Sequence, residues 1–589
     1  MPPKLYSTKK INDHQSCVFE GQDMFVIRKK TKIKNHIRVL IGESYRENGK
    51  IKQRILRNVG TAHNAIDLER YEKVAVLMIE EEIKKQHKCD LLLQYSGNID
   101  DIPLNERKCL DFKSNDIHEI KRVEEGIPEV YGDLFDSLHF NEILKNKNHS
   151  EILKNLVTLR IFDPQSKHKS HELLKEKWGR ESSLSSIYRM LDSLAKNEEK
   201  VTQTVFNATK KLFPDEKIDL LFFDVSTLYF ESTEQDDELK SFGFSKDCKF
   251  NQVQVVLALA TTQEGLPVGY KIFKGNTAEV KTLLLCIDEW KKTILIENVI
   301  FVADRAMFSK ENLYELNRRN YTFIIAAKLK SLSVEYKNEI LSENNYIIKE
   351  YKDNLIWLKE LPLKMEHKIK IENKTIKKEI NGRLICSFSS SRAKKDKSDR
   401  SRMLDKINKY LNKETGTTST KNMVTNACLK KFCKFEGKSA AKLDEEKVYL
   451  DELWDGMHGI FTNSDKDPSE LLSRYSDLWQ IEETFRITKH DLKIRPIYHY
   501  KPLRIKAHIA LCFLSLTLMR HLHVNLKRKN INISMNKLND ELRKIQHSIC
   551  KDSYTGLLLK IPSVQTPIVK QIYSALGINR DEKISFHKE

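Results

Sequence analysis

Asp219-Leu-Leu-Phe-Phe-Asp224 and Asn298-Val-Ile-Phe-Val-Ala-Asp304 decide how this chain reads. Each is a short apolar run of the kind that forms a strand buried on both faces, and each delivers an aspartate at its end. Strand and helix patterns alternate around them. Val253 to Ala260 and Pro267 to Phe273 read as two more strands, joined by a turn at Gln263-Glu-Gly265. Ala278 to Lys292 has the period of an amphipathic helix, Ser309 to Arg319 that of a second, and Thr322-Phe-Ile-Ile-Ala-Ala reads as a fifth strand. This order predicts a mixed α/β sheet with functional groups at strand ends.

An aspartate closing a strand is commonly a turn former or a helix N-cap. Two of them on one sheet take on another meaning beside a third carboxylate. In Tyr475-Ser-Asp-Leu-Trp-Gln-Ile-Glu482-Glu-Thr-Phe-Arg-Ile-Thr-Lys489 a tyrosine, a glutamate and a lysine stand at steps of seven. On a regular helix that spacing puts Tyr475, Glu482 and Lys489 on one face, while Glu483 points about 100° away. Three carboxylates gathered in an apolar setting repel one another unless a cation neutralises them. Hard oxygen donors suit Mg²⁺ or Mn²⁺. Two such ions can activate a water or a 3′-hydroxyl and stabilise the leaving oxygen in phosphoryl transfer.

Composition agrees with a polyanionic partner. The 589 residues carry a formal net charge of +19, which favours nucleic acid or an anionic membrane through counterion release and long-range attraction. No apolar stretch follows Met1, so no secretory signal is expected. The most apolar window, Ile509 to Met519, is about half of what a membrane span needs, and Arg504, Lys506, His508 and Arg520 bracket it. It reads as a buried core helix of a soluble protein. The ten cysteines lack paired spacing; Cys428 and Cys433 have no second Cys/His pair at a zinc-finger distance, so reduced thiols are expected. No Gly-rich phosphate loop supports a nucleotide cofactor.

Outward from the sheet, the chain divides into six segments. Residues 1–126 open with alternating runs, Met24-Phe-Val-Ile, His36 to Ile41 and Ile51 to Leu56, around a hairpin signal at Asn48-Gly49. A helix from Ile66 to about Gln86 and a polar connector follow. Residues 127–215 are helical, and Ser182-Ser-Leu-Ser-Ser-Ile-Tyr188-Arg189-Met-Leu-Asp suits the second helix of a helix-turn-helix as well as it suits a plain bundle. Residues 216–330 hold the first part of the α/β core. Residues 331–465 read as a β-rich insert of short strands, with the basic tract Arg392-Ala-Lys394-Lys395-Asp-Lys-Ser-Asp-Arg-Ser-Arg402 running into a helix and Gly459-Ile-Phe-Thr as the closing strand. Residues 466–527 complete the core with the Glu482 helix and a long helix from Leu503 to about Leu526. Residues 528–589 read as a basic helical tail.

Phe-Asp224-Val-Ser-Thr, Ala-Asp304-Arg305-Ala-Met-Phe and Tyr475…Glu482…Lys489 together resemble the signature blocks of bacterial insertion-sequence transposases of the DDE type. The resemblance is to the group with a β-rich insert between the second Asp and the Glu, whose signature is Tyr-x2-Arg-x3-Glu-x6-Lys. Arg392-Ala-Lys-Lys-Asp396, Leu492-Lys-Ile-Arg-Pro-Ile-Tyr-His499 with Ala507-His508, and Ser44-Tyr-Arg-Glu-Asn-Gly-Lys50 resemble further blocks of one branch, so the likeness spans roughly residues 36 to 525.

It implies an α/β fold: an RNase H-like mixed-sheet core interrupted by a β-rich insert, with an N-terminal β-unit and helical DNA-binding region, and a helical C-terminus. It implies Asp224, Asp304 and Glu482 as ligands of two Mg²⁺ or Mn²⁺ ions. DNA contacts are then expected from Tyr475, Lys489, Arg305, Arg392, Lys394, Lys395, Tyr188 and Arg189. The implied activity is cleavage at terminal inverted repeats and transfer of the 3′-hydroxyl to target DNA, by a homodimer in the bacterial cytoplasm. A metal-dependent nuclease without strand transfer and an inactive DNA-binding relic are the alternatives. One position departs from the signature: Leu478 stands where the family has a phosphate-binding Arg. Arg486, one turn beyond Glu482, is the expected substitute.

Overall fold

The computed structural model describes residues 8–11, 14–18, 24–31, 36–47, 50–94, 117–213, 215, 217–236, 238–244, 251–294, 299–351, 354–371, 374–411, 431–436, 440–553 and 557–586. Two compact units emerge: Ile127–Leu542 with Gln571–Ile578, and Met1–Gly126 with Arg543–Lys570 and Asn579–Glu589.

The larger unit is built on a nine-stranded mixed sheet. Its strands are β1 (Leu220–Tyr229), β2 (Gln254–Thr261), β3 (Pro267–Lys274), β4 (Ile300–Ala303), β5 (Thr322–Ala326), β6 (Ile347–Tyr351), β7 (Asn354–Ile371), β8 (Lys374–Phe388) and β9 (Met457–Thr462). The spatial order is β6-β7-β8-β9-β5-β4-β1-β2-β3. β1, β2 and β3 pair antiparallel, whereas β4 runs parallel to both β1 and β5. The mixed α/β core expected from the apolar runs is thus present. β2 is buried along its whole length, because both faces of the sheet are covered. Consecutive residues of β3 show how. Gly269 lies so close to Trp290 of the Glu279–Ile294 helix that a Cβ there would meet the indole nitrogen at 3.0 Å. Its neighbour Tyr270 packs on Phe513 of the Pro502–Arg528 helix, with ring centroids 4.5 Å apart.

The insert differs from its reading in a physical detail. The insert, read as short strands, contains two long ones, β7 and β8, which pair from Trp357–Phe388 to Ile371–Lys374. Charged residues between the apolar clusters lie along that ladder and do not break it, and Pro362 is accommodated opposite Arg383. β9 pairs with β8 on one side and β5 on the other, so the insert continues the core sheet. The basic tract lies within a helix, Ser390–Leu411.

The long apolar helix, Pro502–Arg528, runs well past the window that marked it and is long and apolar enough to cross a membrane, but 89% of its most apolar stretch is buried inside the fold. Helices Lys147–Phe162, Leu184–Ala195 and Glu198–Lys210 pack against it. Two arginines tie this helical layer to the site. Arg520 donates to the carbonyls of Gly265 at 2.9 Å and Glu264 at 2.5 Å, and to Gln480 Oε1 at 3.1 Å. Buried Arg160 donates to the carbonyls of Leu492 at 2.8 Å and Lys493 at 2.5 Å.

In the smaller unit, strands Thr8–Ile11, His14–Val18, Met24–Lys30, Ile37–Glu47 and Lys50–Ala62 form an antiparallel sheet in chain order. The helix Ala65–Gln94 packs on it over a core of Val26, Val39, Ile41, Ala75 and Ile79. The Asn48-Gly49 turn lies outside the described residues. The polar connector ends in a strand, Ile117–Glu124, that its sequence pattern does not announce. It pairs with Gln546–Asp552 in a four-stranded sheet that also contains Leu558–Pro562 and Ser585–Phe586. The C-terminal segment, read as a basic helical tail, is helical only in part, at Met535–Arg543 and Pro567–Leu576. It also supplies three strands of this sheet, in which polar His547 and Asp552 are buried and Lys551 is exposed. Cys286, Cys386, Cys433, Cys512 and Cys550 are free and buried; Cys428 lies outside the described residues.

Candidate active site

Backbone register places the two aspartates. β4 lies parallel beside β1 with Ala303 opposite Phe223, the last pair of their ladder, and Asp224 and Asp304 are the residues that follow that pair. Their settings differ. β4 stops at Ala303, and Asp304 opens a 3₁₀ turn, Arg305–Met307, on the exposed side. β1 continues to Tyr229, so Asp224 sits mid-strand and not at a strand end, with Leu259 of β2 opposite it. Asp224 Oδ1 accepts a hydrogen bond from the Val225 amide at 2.7 Å.

The single helix expected from Tyr475 to Lys489 is in fact broken twice. One helix runs Pro468–Ser476, a second Trp479–Arg486, and a π-helical turn follows at Ile487–Asp491. Between the first two, Asp477 leaves helical geometry and its carboxylate accepts from Gln263 Nε2 at 2.7 Å. The wider π turn changes the angular step per residue. Seven-residue spacing therefore does not place Tyr475, Glu482 and Lys489 on one helix face.

Folding nevertheless gathers part of the set. The Trp479–Arg486 helix, which carries exposed Glu482, packs against β1 and β2. Tyr475 lies in the field of Asp304, Arg305, Arg392 and Glu482. Burial, followed by Asp304 and Glu482, raises its phenol well above the ordinary range, against the opposing pull of the two arginines, so the hydroxyl stays protonated.

His458 of β9 is the partner that sequence reasoning missed. Its ring stands 5.0 Å from that of Tyr475. Burial, then Arg392 and Arg305, lowers its pKa to about 4, which keeps the imidazole neutral. No local motif marks Met457-His458-Gly459; only the pairing of β9 into the core sheet brings it here.

Among the described residues, no three Asp, Glu, His or Cys side chains converge closely enough to form a metal-ligand set. The donor chemistry of Asp224, Asp304 and Glu482 still fits a hard divalent cation.

The cations divide into those that face outward and those engaged within the fold. Arg305 and Arg392 line a cavity of about 470 Å³ with Lys328, Lys330 and Asp396. Lys394 and Lys395 are exposed on the same helix as Arg392. Arg400, from the same tract, is buried and held by Asp455 at 2.5 Å and Glu452 at 3.1 Å. Arg486 is gripped by Glu483 through two hydrogen bonds of 2.6 Å and lies 3.7 Å from Asp491. This acidic pair engages the guanidinium expected to substitute for the missing signature arginine. Leu478 is buried at the start of the Glu482 helix.

In the helical region, Ser183 caps the Leu184–Ala195 helix and Arg189 donates to Ser186 Oγ at 3.0 Å. Tyr188 is covered by the Arg504 guanidinium, 4.5 Å from its ring, so it packs within the fold while Arg189 is exposed. Lys489 lies in the π turn, half-buried.

Residues 215–518 match the family model described as the transposase DDE domain, and residues 26–86 match that of the IS1634 family transposase, N-terminal domain. No curated protein matches. A piggyBac transposase synaptic complex with hairpin DNA is similar at 10% identity over 72% of this chain and 82% of that one, with a TM-score of 0.34. A Mos1 transposase paired-end complex with left transposon end is similar at 12% identity over 30% of this chain and 57% of that one, with a TM-score of 0.14.

Proposed function

This chain belongs to the transposases with a DDE domain, whose model covers more than half of it, and we propose that it cuts DNA at the ends of its own element and joins the freed 3′ ends to new DNA. The observation that supports this reading is the β1–β4 register, in which Asp224 and Asp304 follow the paired residues Phe223 and Ala303, together with the packing of the Glu482 helix on β1. The core is read as RNase H-like. Asp224, Asp304 and Glu482 would hold two Mg²⁺ or Mn²⁺ ions, as members of this family generally use divalent metal. When bound, the ions supply charge neutralisation and an activated oxygen nucleophile for phosphoryl transfer.

The chain's own residues hold and orient the DNA. Arg305 and Arg392 attract the phosphate at the cut, and Tyr475 donates a hydrogen bond to it from a phenol that stays protonated. Lys489 reaches a neighbouring phosphate. Such positioning removes most of the entropic cost of bringing nucleophile and phosphorus together. Lys394, Lys395 and Arg189 extend the track along the duplex, and the net charge of +19 supports the binding. The substrates are double-stranded terminal repeats and a double-stranded target, brought together by a homodimer in the bacterial cytoplasm.

The test uses a plasmid carrying the gene's native flanks, purified protein and Mg²⁺, with nicks mapped to the nucleotide for wild type and Asp224→Asn. Metal-dependent cuts at both flanks, absent in the variant while end binding persists, are expected. Scattered cuts that survive the substitution would overturn the assignment. The buried Leu478, in place of a phosphate-binding arginine, favours one second reading: cleavage without transfer. It is distinguished by whether joined target products appear.

A further inference from the structure

The segment that leaves the Glu482 element carries three consecutive carbonyls that are held by buried side chains of the helical layer. Arg160 of the Lys147–Phe162 helix donates through Nε to Leu492 at 2.8 Å and through Nη2 to Lys493 at 2.5 Å. Its remaining nitrogen, Nη1, donates to the carbonyl of Gln165 at 2.9 Å. His508 of the Pro502–Arg528 helix meets the carbonyl of Ile494 through Nε2 at 3.0 Å. Burial, then the charges of Arg160, Lys167 and His499, holds this imidazole neutral, and a proton on Nε2 makes it the donor.

The same segment returns to the sheet. The Ile497 amide donates to the carbonyl of Tyr229 at 3.1 Å, and Ile497 bridges Phe230 in parallel, directly after β1. The stretch from Glu482 to Ile497 is therefore tied to the helical layer midway and, beyond that, to the end of the strand that carries Asp224.

The last carbonyls of a helix lack partners inside it, so a buried arginine that satisfies them can serve stability alone. Two features point further. Lys493 has a φ of 45°, in the left-handed region that side chains disfavour, and such a backbone persists where its surroundings over-determine it. The grip also falls three and four residues past Lys489, on an element whose other end is the irregular Asp477-Leu478 junction. A guanidinium is a rigid planar fork, so it fixes direction as well as distance.

We propose that Arg160 is a positioning residue for strand cutting: its fork on Leu492 and Lys493 sets where Glu482 and Lys489 stand relative to Asp224. The proposal rests on the DNA-transposase reading above. It adds a residue of the helical layer that acts through the backbone.

The experiment compares full-length wild type with Arg160→Gln and Arg160→Lys. Circular dichroism checks folding, and hydrogen–deuterium exchange compares peptides from 479–494 with those from β1 and β4. Cleavage of a duplex from the gene's own flank is followed at saturating DNA across a Mg²⁺ series, with duplex affinity from fluorescence anisotropy. Arg160→Gln is expected to speed exchange in 479–494 while β1 and β4 keep their protection. Its cleavage rate should fall about 10²-fold, the scale of a 1 Å misplacement, with the Mg²⁺ midpoint raised and affinity within about twofold. Arg160→Lys keeps the charge and a donor without the fork, and should recover part of the rate. Where the glutamine variant fails to fold, the lysine variant carries the test, expected between it and wild type in every readout.

A rate per folded molecule and a Mg²⁺ midpoint equal to those of wild type would make Arg160 a stabilising residue and overturn the proposal. Exchange that rises equally in β1 and β4 would do the same. Wild type that cuts no flank duplex removes the transposase reading and this role with it, whereas cutting indifferent to Arg160 removes this role alone.

Discussion

The two aspartates and the glutamate of the candidate site are carried by structures of opposite character. Asp224 lies within β1, and Asp304 follows the last paired residue of β4, so the parallel ladder ending at Phe223 and Ala303 leads the chain up to both. Glu482 rides on a short helix with an irregular junction at each end, Asp477-Leu478 before it and the π turn Ile487–Asp491 after it. What steadies that helix is side-chain chemistry from outside it: Gln480 bonded to Arg520, and the Arg160 grip on the carbonyls of Leu492 and Lys493. A sheet position cannot shift without slipping a strand. A helix with two weak junctions can adjust as a unit, and π turns are frequent at functional sites. Asp224 is therefore held by the sheet and Asp304 by the turn that leaves it, whereas Glu482 has the most adjustable support of the three.

The sharpest way to break this comparison is to neutralise each carboxylate in turn. Asp304→Asn is expected to lower strand cleavage by about 10³-fold or more, the scale of losing a group that acts in the transition state. DNA affinity should fall little, as measured by cleavage and anisotropy on one duplex. Glu482→Gln should match it. Glu483→Gln, whose carboxylate is occupied with Arg486, should stay within about tenfold of wild type. If Glu483→Gln were the inactive variant and Glu482→Gln the active one, the helix would present its other face to the site.

The same contrast explains what is legible in the sequence. Asp224 and Asp304 are visible because a buried parallel strand must be apolar on both faces, so an acidic residue closing such a run stands out. Even so, the run does not reveal that β1 continues past Asp224. The seven-step spacing of Tyr475, Glu482 and Lys489 presumes a regular helix. The junction at Asp477 depends on Gln263, remote in sequence, and local periodicity carries no trace of such a bond. His458 is illegible for the same reason, since its place beside Tyr475 comes from β9 joining β5. In the C-terminal segment the strands are short, and Gln546–Asp552 buries polar His547 and Asp552 along with Ile549 and Cys550, so no apolar alternation announces it.

Leu478 tests whether the departure from the family signature has been absorbed by the fold. Its side chain is buried at the Asp477 junction, so Leu478→Arg would bring a guanidinium into apolar surroundings. The expected cost is about 3 kcal/mol of stability, read from urea midpoints at constant m. A gain in cleavage without loss of stability would show instead that the junction can turn position 478 toward DNA, and that the leucine is a defect.

The smallest effect sharpens the comparison by asking which scaffold acid attacks. His521 lies on the Pro502–Arg528 helix that backs both β3 and the π turn after the Glu482 helix, and its Nε2 stands 3.1 Å from Thr209 Oγ1. Burial, followed by the charge of Arg528, lowers its pKa to about 3. An unfolded histidine titrates near 6.5. As pH falls below that value the unfolded chain takes up a proton that the folded chain refuses, so the stability present above about pH 6.5 is progressively lost toward pH 3. The loss reaches about 1 kcal/mol for each pH unit well inside that window. His521→Gln keeps a donor for Thr209 and removes the titration, so it should flatten the fall in urea midpoint between pH 7 and pH 5. An equal fall in both proteins would mean that acid acts first elsewhere, and that the long helix holds its grip on the Glu482 segment down to pH 5.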